Sequence, residues 1–147
     1  MRFMMLMIPA VYQGAQSKKA GPDFTPPADA VEKMMKYNEG LAKAGALISL
    51  DGLHSPATAA RISYAGGKPK VTDGPFTESK EVLGGYWMIQ VKSREEAIEW
   101  AKKVPAEAGD VVEVRQVFEM EEFPPEVQKA ADNHPAVKAQ VEKGKRP

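Results

Sequence analysis

Residues 85–104 read GYWMIQVKSREEAIEWAKKV, and residues 110–120 read DVVEVRQVFEM. GYWMIQV (85–91) is rich in aromatic and β-branched residues and predicts a strand. SREEAIEWAKKV (93–104) then changes to a helical period. Ser93 followed by Glu96 has the spacing of a capping box. Ala97, Ile98, Ala101 and Val104 make an apolar face, with Trp100 beside them. Pro105 ends the helix. DVVEVRQVFEM predicts a last strand, so the stretch is one strand–helix–strand unit.

A second unit precedes it. FMMLMI (3–8) is continuously apolar and stops at Pro9, which favours a strand covered on both faces over a buried helical segment. Residues 9–26 have no period and read as a long loop, either functional or disordered. Residues 27–44 predict a helix capped by Thr25, with Pro26 and Pro27 at its first positions. Val31, Met34, Met35, Asn38, Leu41 and Ala42 fall near one face, and Gly45 stops the helix. The methionines read as core filler. ALISLDGL (46–53) predicts a strand entering a turn. AARISYAGGKPKVTDGPF (59–76) predicts a hairpin turning at its two glycines.

The order is strand, helix, strand, hairpin, strand, helix, strand. Two βαβ-type units around one sheet predict an α+β chain with a ferredoxin-like antiparallel sheet and two helices. This domain spans residues 1–120. Residues 121–147 form a charged C-terminal extension, broken by prolines, with one or two short helices.

One face of such a sheet is covered by the helices. On the other, Tyr86, Met88 and Gln90 join Val111, Glu113, Arg115 and Val117, and FMMLMI is apolar on both sides. A large apolar face left in water is unfavourable. Packing against a second copy predicts a homodimer, with Glu113 and Arg115 lining an enclosed, partly polar space. The alternative is that the extension folds over this face.

The 147 residues carry 20 Lys+Arg and 20 Asp+Glu, for a net charge of zero. That balance argues against nucleic acid as the main partner. Cysteine is absent, which removes disulfides, thiolate metal sites and cysteine nucleophiles and fits a reducing compartment. MRFMMLMIPA is too short an apolar run for a signal peptide and lacks a small-residue cleavage pattern. No run approaches a membrane span. The expectation is a cytoplasmic protein with no membrane partner. There is no HExxH, P-loop, GxGxxG or GxSxG pattern, so no metal or cofactor is expected. AGGKPK reads as a hairpin turn rather than a phosphate loop.

The segment VTDGPFTESKE (71–81) is more polar than a loop before a buried strand needs. Asp73-Gly74-Pro75 is a turn signal by itself. Thr77–Glu81 reads as one short helical turn, and Gly84-Gly85 permits close backbone approach. The same turn could hold Asp73 at a pocket, with Phe76, Glu78 and Lys80 on its rim. His54, just past a strand end, is the imidazole best placed for acid–base work, and Asp51 could orient it. His134 lies in the extension and reads as solvated. Tyr86 or Trp87 would supply an aromatic wall, and Arg115 would bind an anionic group. An isolated Asp-Gly pair such as Asp73-Gly74 is more often a plain turn, a single loop histidine such as His54 is more often structural or merely exposed, and a turn explains Asp51 equally well.

VTDGPFTESKEVLGGYWMIQVKSREEAIEWAKKVP (71–105), followed by VEVRQV (112–117), closely resembles the YCII-related proteins of the DGPF subfamily. Asp73-Gly74-Pro75-Phe76 is that subfamily's naming motif, and LDGLHSPATAARI (50–62) is similar to it too. The resemblance implies a ferredoxin-like fold assembled as a dimeric α+β barrel. It is a largely uncharacterised family. Some relatives are proposed enzymes because a His and an Asp share a cleft. Residues 9–26 contain no histidine, so His54 with Asp73 would be a different solution here.

Two functions are expected. One is an enzyme acting on a small molecule, with His54 and Asp73 as acid–base groups. The other is a non-catalytic ligand-binding or regulatory module, in line with the subfamily's link to alternative sigma factors.

Overall fold

The computed structural model describes residues 1–145. Its main sheet has four strands: β1 (Arg2–Ile8), β2 (Leu47–Gly52), β5 (Gly85–Gln90) and β6 (Val111–Gln116). They lie in the order β2-β5-β1-β6, and every neighbouring pair is antiparallel. β1 and β2 are therefore parallel with β5 between them, and β5 and β6 are parallel with β1 between them. Helix α1 (Ala28–Lys43) crosses from β1 to β2, and α2 (Arg94–Ala101) crosses from β5 to β6. The chain is α+β, with two interleaved βαβ units.

Both helices cover the same face of the sheet. Phe3, Met5, Trp87 and Ile89 point into it and meet Leu41 of α1 and Ala97 of α2 in one core. Tyr37 closes the layer by donating its hydroxyl to the Trp100 carbonyl at 2.9 Å. Burying these side chains is the main favourable term of the fold.

The inward stripe of α1 differs from its sequence reading. Met34, Tyr37, Asn38 and Leu41 face the core, while Met35 is 59% exposed and Val31 is also exposed. Met35 is turned about 100° from Met34, off the arc that the sheet covers, whereas Val31 lies within about 20° of Asn38 and is exposed in the helix's first turn. Thr25 does not cap the helix. Pro27 stands at the N-cap with no side-chain bond, and its fixed φ sets the entry instead. In α2, Ser93 Oγ accepts from Glu96 N–H at 3.1 Å, as the capping pattern predicts. Glu96 reaches back one residue further, to Lys92 N–H at 2.9 Å.

Residues 9–26 are ordered. Two short 3₁₀ helices, Ala10–Tyr12 and Gly14–Lys19, wrap a second small core of Tyr12, Ala20 and Val82. The Gln13 side chain stitches the two segments together. Its amide donates to the carbonyls of Pro9 and Val82 at 2.7 and 2.8 Å, and its oxygen accepts from Val82 N–H at 2.9 Å. This accounts for the absence of a period: the segment is held by hydrogen bonds to a distant loop, not by an amphipathic face of its own.

Strands β3 (Ala60–Ser63) and β4 (Lys70–Asp73) form a separate hairpin, with Ile62 opposite Val71. Gly66 and Gly67 take φ of 66° and 78° at its tip, a region open to glycine. Thr77–Glu81 makes a turn, Ser79 N–H to Phe76 carbonyl, and no helix. Beyond β6 lie α3 (Pro125–Asp132) and α4 (Pro135–Lys143). They pack chiefly on each other. Glu119 ties this extension to the sheet by accepting from Arg2 at 2.9 Å and pairing with Lys145 at 3.3 Å.

Candidate functional site

β2 ends at Gly52, and the turn that follows is anchored by Ser55 and Pro56, both buried. Ser55 is buried, donates its hydroxyl to the Ala20 carbonyl and accepts from Ala57 N–H. Pro56 opens a 3₁₀ turn, Pro56–Thr58. Just before these anchors, Leu53 and His54 are left exposed.

The DGPF turn docks against this turn. Gly74 N–H donates to the Ala59 carbonyl at 2.8 Å. A Cβ on Gly74 would stand 1.8 Å from the Pro56 carbonyl oxygen, so only glycine permits the approach. The docking brings Phe76 to the wall of a cavity of about 280 Å3 that His54 also lines, with Leu53, Pro56, Val82 and Leu83. The cavity is apolar, with His54 as its one ionisable wall residue among the described residues. Gly84 and Gly85 allow the adjoining strand to pass close. A Cβ on Gly85 would lie 2.8 Å from the Asp51 carbonyl oxygen.

The other sequence candidates lie elsewhere. Asp73 is exposed on β4 opposite Ala60. Among the described residues no hydrogen bond joins it to His54. Asp51 does not orient His54 either. Its carboxylate accepts the Tyr86 hydroxyl at 2.8 Å, because the alternation of β2 and β5 puts both on the sheet face away from the helices. That hydrogen bond to Asp51 is the main cause of the Tyr86 phenol's raised pKa.

Glu113 and Arg115 share that open face on edge strand β6, 3.6 Å apart. In register, one row across the face reads Asp51, Tyr86, Leu6, Glu113, and the next reads Ser49, Met88, Met4, Arg115. Trp87 belongs to the opposite face. It is 5% exposed and donates its indole N–H to Asn38 Oδ1 at 2.8 Å. Of the two aromatic candidates, Tyr86 is thus the one on the open face.

Glu78 and Lys80 line a polar cleft of about 560 Å3, together with Ser79, Glu81 and Arg61. Sequence reasoning missed Arg61. Its guanidinium lies 3.9 Å from the centre of the Phe76 ring and donates to Ser79 Oγ at 2.7 Å. The alternation in ARIS was the available signal, since it places Arg61 and Ile62 on opposite faces of the hairpin. Among the described residues no three His, Asp or Glu side chains gather as a metal-holding group. No helix there is long and apolar enough to cross a membrane.

A model of the YCII-related domain matches residues 1–121. The chain belongs to the YCII-related domain family. An uncharacterized protein of Rhizobium meliloti (strain 1021) is 37% identical over 60 residues, covering 41% of this chain and 48% of that protein. The chain thus spans about half the length of the curated relative it matches. In this YCII-related chain the family region takes in the whole sheet, both core helices and the His54 turn. All of α3 and α4 falls beyond it.

Proposed function

We propose that this YCII-related chain binds a small molecule in the cavity beside His54 and uses His54 as a proton-transfer group. The observation that carries the reading is one imidazole on the rim of an open, mainly apolar cavity that Leu53, Phe76, Val82 and Leu83 also line. Such walls offer an apolar surface to a ligand and place one group able to move a proton beside it. Asp73 sits at the base of the same docked turn and is the second acid–base candidate.

The strand order β6-β1-β5-β2 supports the ferredoxin-like fold, and the DGPF motif supports that subfamily. In the same reading two copies pair through the open sheet face to make a dimeric α+β barrel. Met4, Leu6 and Met88 supply its apolar centre; Tyr86, Glu113 and Arg115 line the space between the sheets. The helices of the extension pack chiefly on each other, and its tie to the sheet is at Arg2, at the end of the β1 row; in this reading Met4, Leu6 and Met88 meet a second copy. A cytoplasmic location fits the lack of cysteine.

Native mass spectrometry of gently purified protein tests both parts. The expected result is a dimer that retains a ligand mass. Leu6→Glu should convert it to monomer, and Thr58→Trp should expel the ligand by filling the cavity. A monomeric wild type would sink the barrel. Once a turnover assay exists, His54→Ala and Asp73→Asn should each abolish the rate; an unchanged rate in both removes the catalytic assignment.

The second reading is a ligand-binding or regulatory module, in the alternative sigma factor setting that the DGPF resemblance implies. It is favoured by one observation: Asp51, the nearest carboxylate in sequence, is engaged by Tyr86 rather than by His54. Ligand retention with no turnover in either variant or wild type would select it.

A further inference from the structure

Arg61 is the residue that this reading leaves unused. It belongs to an exposed hairpin, is itself exposed, and makes two contacts with the DGPF turn. Its guanidinium lies on the Phe76 ring at 3.9 Å, and Nη1 donates to Ser79 Oγ at 2.7 Å. A stacked, singly bonded guanidinium keeps most of its five N–H donors free in a set orientation. Among the described residues no carboxylate lies within ion-pair distance of it. Phe76 is the shared element. Its ring lines the apolar cavity of His54, and the cation over it lines the polar cleft.

We infer that Arg61 is the anion-recognising residue of the His54 pocket, and that the ligand is an apolar monocarboxylate. This rests on the pocket reading above. The hydrocarbon body occupies the cavity walled by Leu53, Val82 and Leu83, and the carboxylate crosses the edge of Phe76 to the guanidinium. Lys80 lines the same cleft and adds a second positive charge. Glu78 and Glu81 line it too. They are tolerable to a single negative charge held at Arg61 and repel a second one, so phosphates and dicarboxylates are disfavoured. Arg115 is not needed for this role: it lies on β6 beside Glu113.

The test is a protein-observed NMR titration with three probes of one shape: phenylacetate, neutral phenylacetamide and dianionic benzylphosphonate. Phenylacetate should shift the resonances of Leu53, Val82 and Leu83 and bind roughly fivefold tighter than the amide, the upper range for an exposed charge pair. Arg61→Gln should erase that preference, and Arg61→Lys should restore it in part. Glu78→Gln with Glu81→Gln should improve binding of the dianion. Equal binding of acid and amide to the wild type overturns the role of Arg61 and leaves the pocket standing. A preference that survives in Arg61→Gln overturns it as well. If no probe shifts Leu53, Val82 or Leu83, the pocket reading and this inference both fall.

Discussion

The Trp87 indole and the Asn38 side chain form a buried pair, N–H to Oδ1 at 2.8 Å, between β5 and α1. Asn38 is 8% exposed. A polar residue on the inner stripe of a helix is costly unless its partner is fixed, and here the partner is the largest side chain of the sheet. Asn38→Leu should leave the indole N–H unsatisfied and destabilise the chain by about 2 kcal/mol, read as a lower urea midpoint. Adding Trp87→Phe removes the orphaned donor, so the double variant should lose less than the two single losses combined.

Two glycines should respond in opposite ways. Gly74→Ala drives a Cβ to within 1.8 Å of the Pro56 carbonyl oxygen. It should undock the DGPF turn and cost about 3 kcal/mol or more. Gly40 lies within α1, and a Cβ added there would meet nothing within 4 Å. Gly40→Ala should raise stability by about 1 kcal/mol through helix propensity. Thermal melts of the two variants provide the comparison.

Glu119 should make the extension's attachment pH dependent. The hydrogen bond from Arg2, with a smaller one from Lys145, lowers its pKa below the usual 4.5. A carboxylate with a lowered folded pKa stabilises above the unfolded value, and that contribution is lost as pH falls through the folded one. Glu119→Gln should cost about 1 kcal/mol at neutral pH and nothing once the wild-type carboxyl is protonated. Melting curves of wild type and variant should therefore draw together as pH is lowered from 7 through the folded-state pKa, which lies below 4.5.

Asp51 should control the titration of Tyr86. The phenol is held protonated by its hydrogen bond to the carboxylate and by the negative charge behind it, while Ser49 acts the other way. Asp51→Asn removes the charge, so one tyrosine should ionise at lower pH, nearer 10.0. Ultraviolet titration of the phenolate band follows it. An unchanged curve would show that the Asp51–Tyr86 contact does not persist in solution.

Much of the architecture was legible because it depends on local periodicity. GYWMIQV and VVEVRQV alternate, SREEAIEWA repeats at helical spacing behind Ser93, and the double glycine marks a hairpin. Residues 9–26 were not legible. What orders them is Gln13 reaching Val82 across sixty-nine positions, and no window of sequence holds both partners. The inward stripe of α1 was misjudged for a related reason. Met34 and Met35 are identical in type, and only the placement of the sheet makes one of them core.

The candidate site divides in the same way. His54 and Phe76 were singled out from their turns, and folding brings them to one cavity. Asp51 sits three residues from His54 in the chain yet binds Tyr86, because strand alternation turns it to the other side. Arg61 gave no signal beyond alternation in a short hairpin.

By itself the sequence determined the elements, their order and the family, since hydrophobic period, capping residues and turn glycines act over a few residues. The tertiary structure alone decided which side chains meet. Whether an arginine lies on Phe76, an asparagine on Trp87 or a carboxylate on Tyr86 depends on strand register and on loop docking. Both are fixed by contacts between residues far apart in the chain.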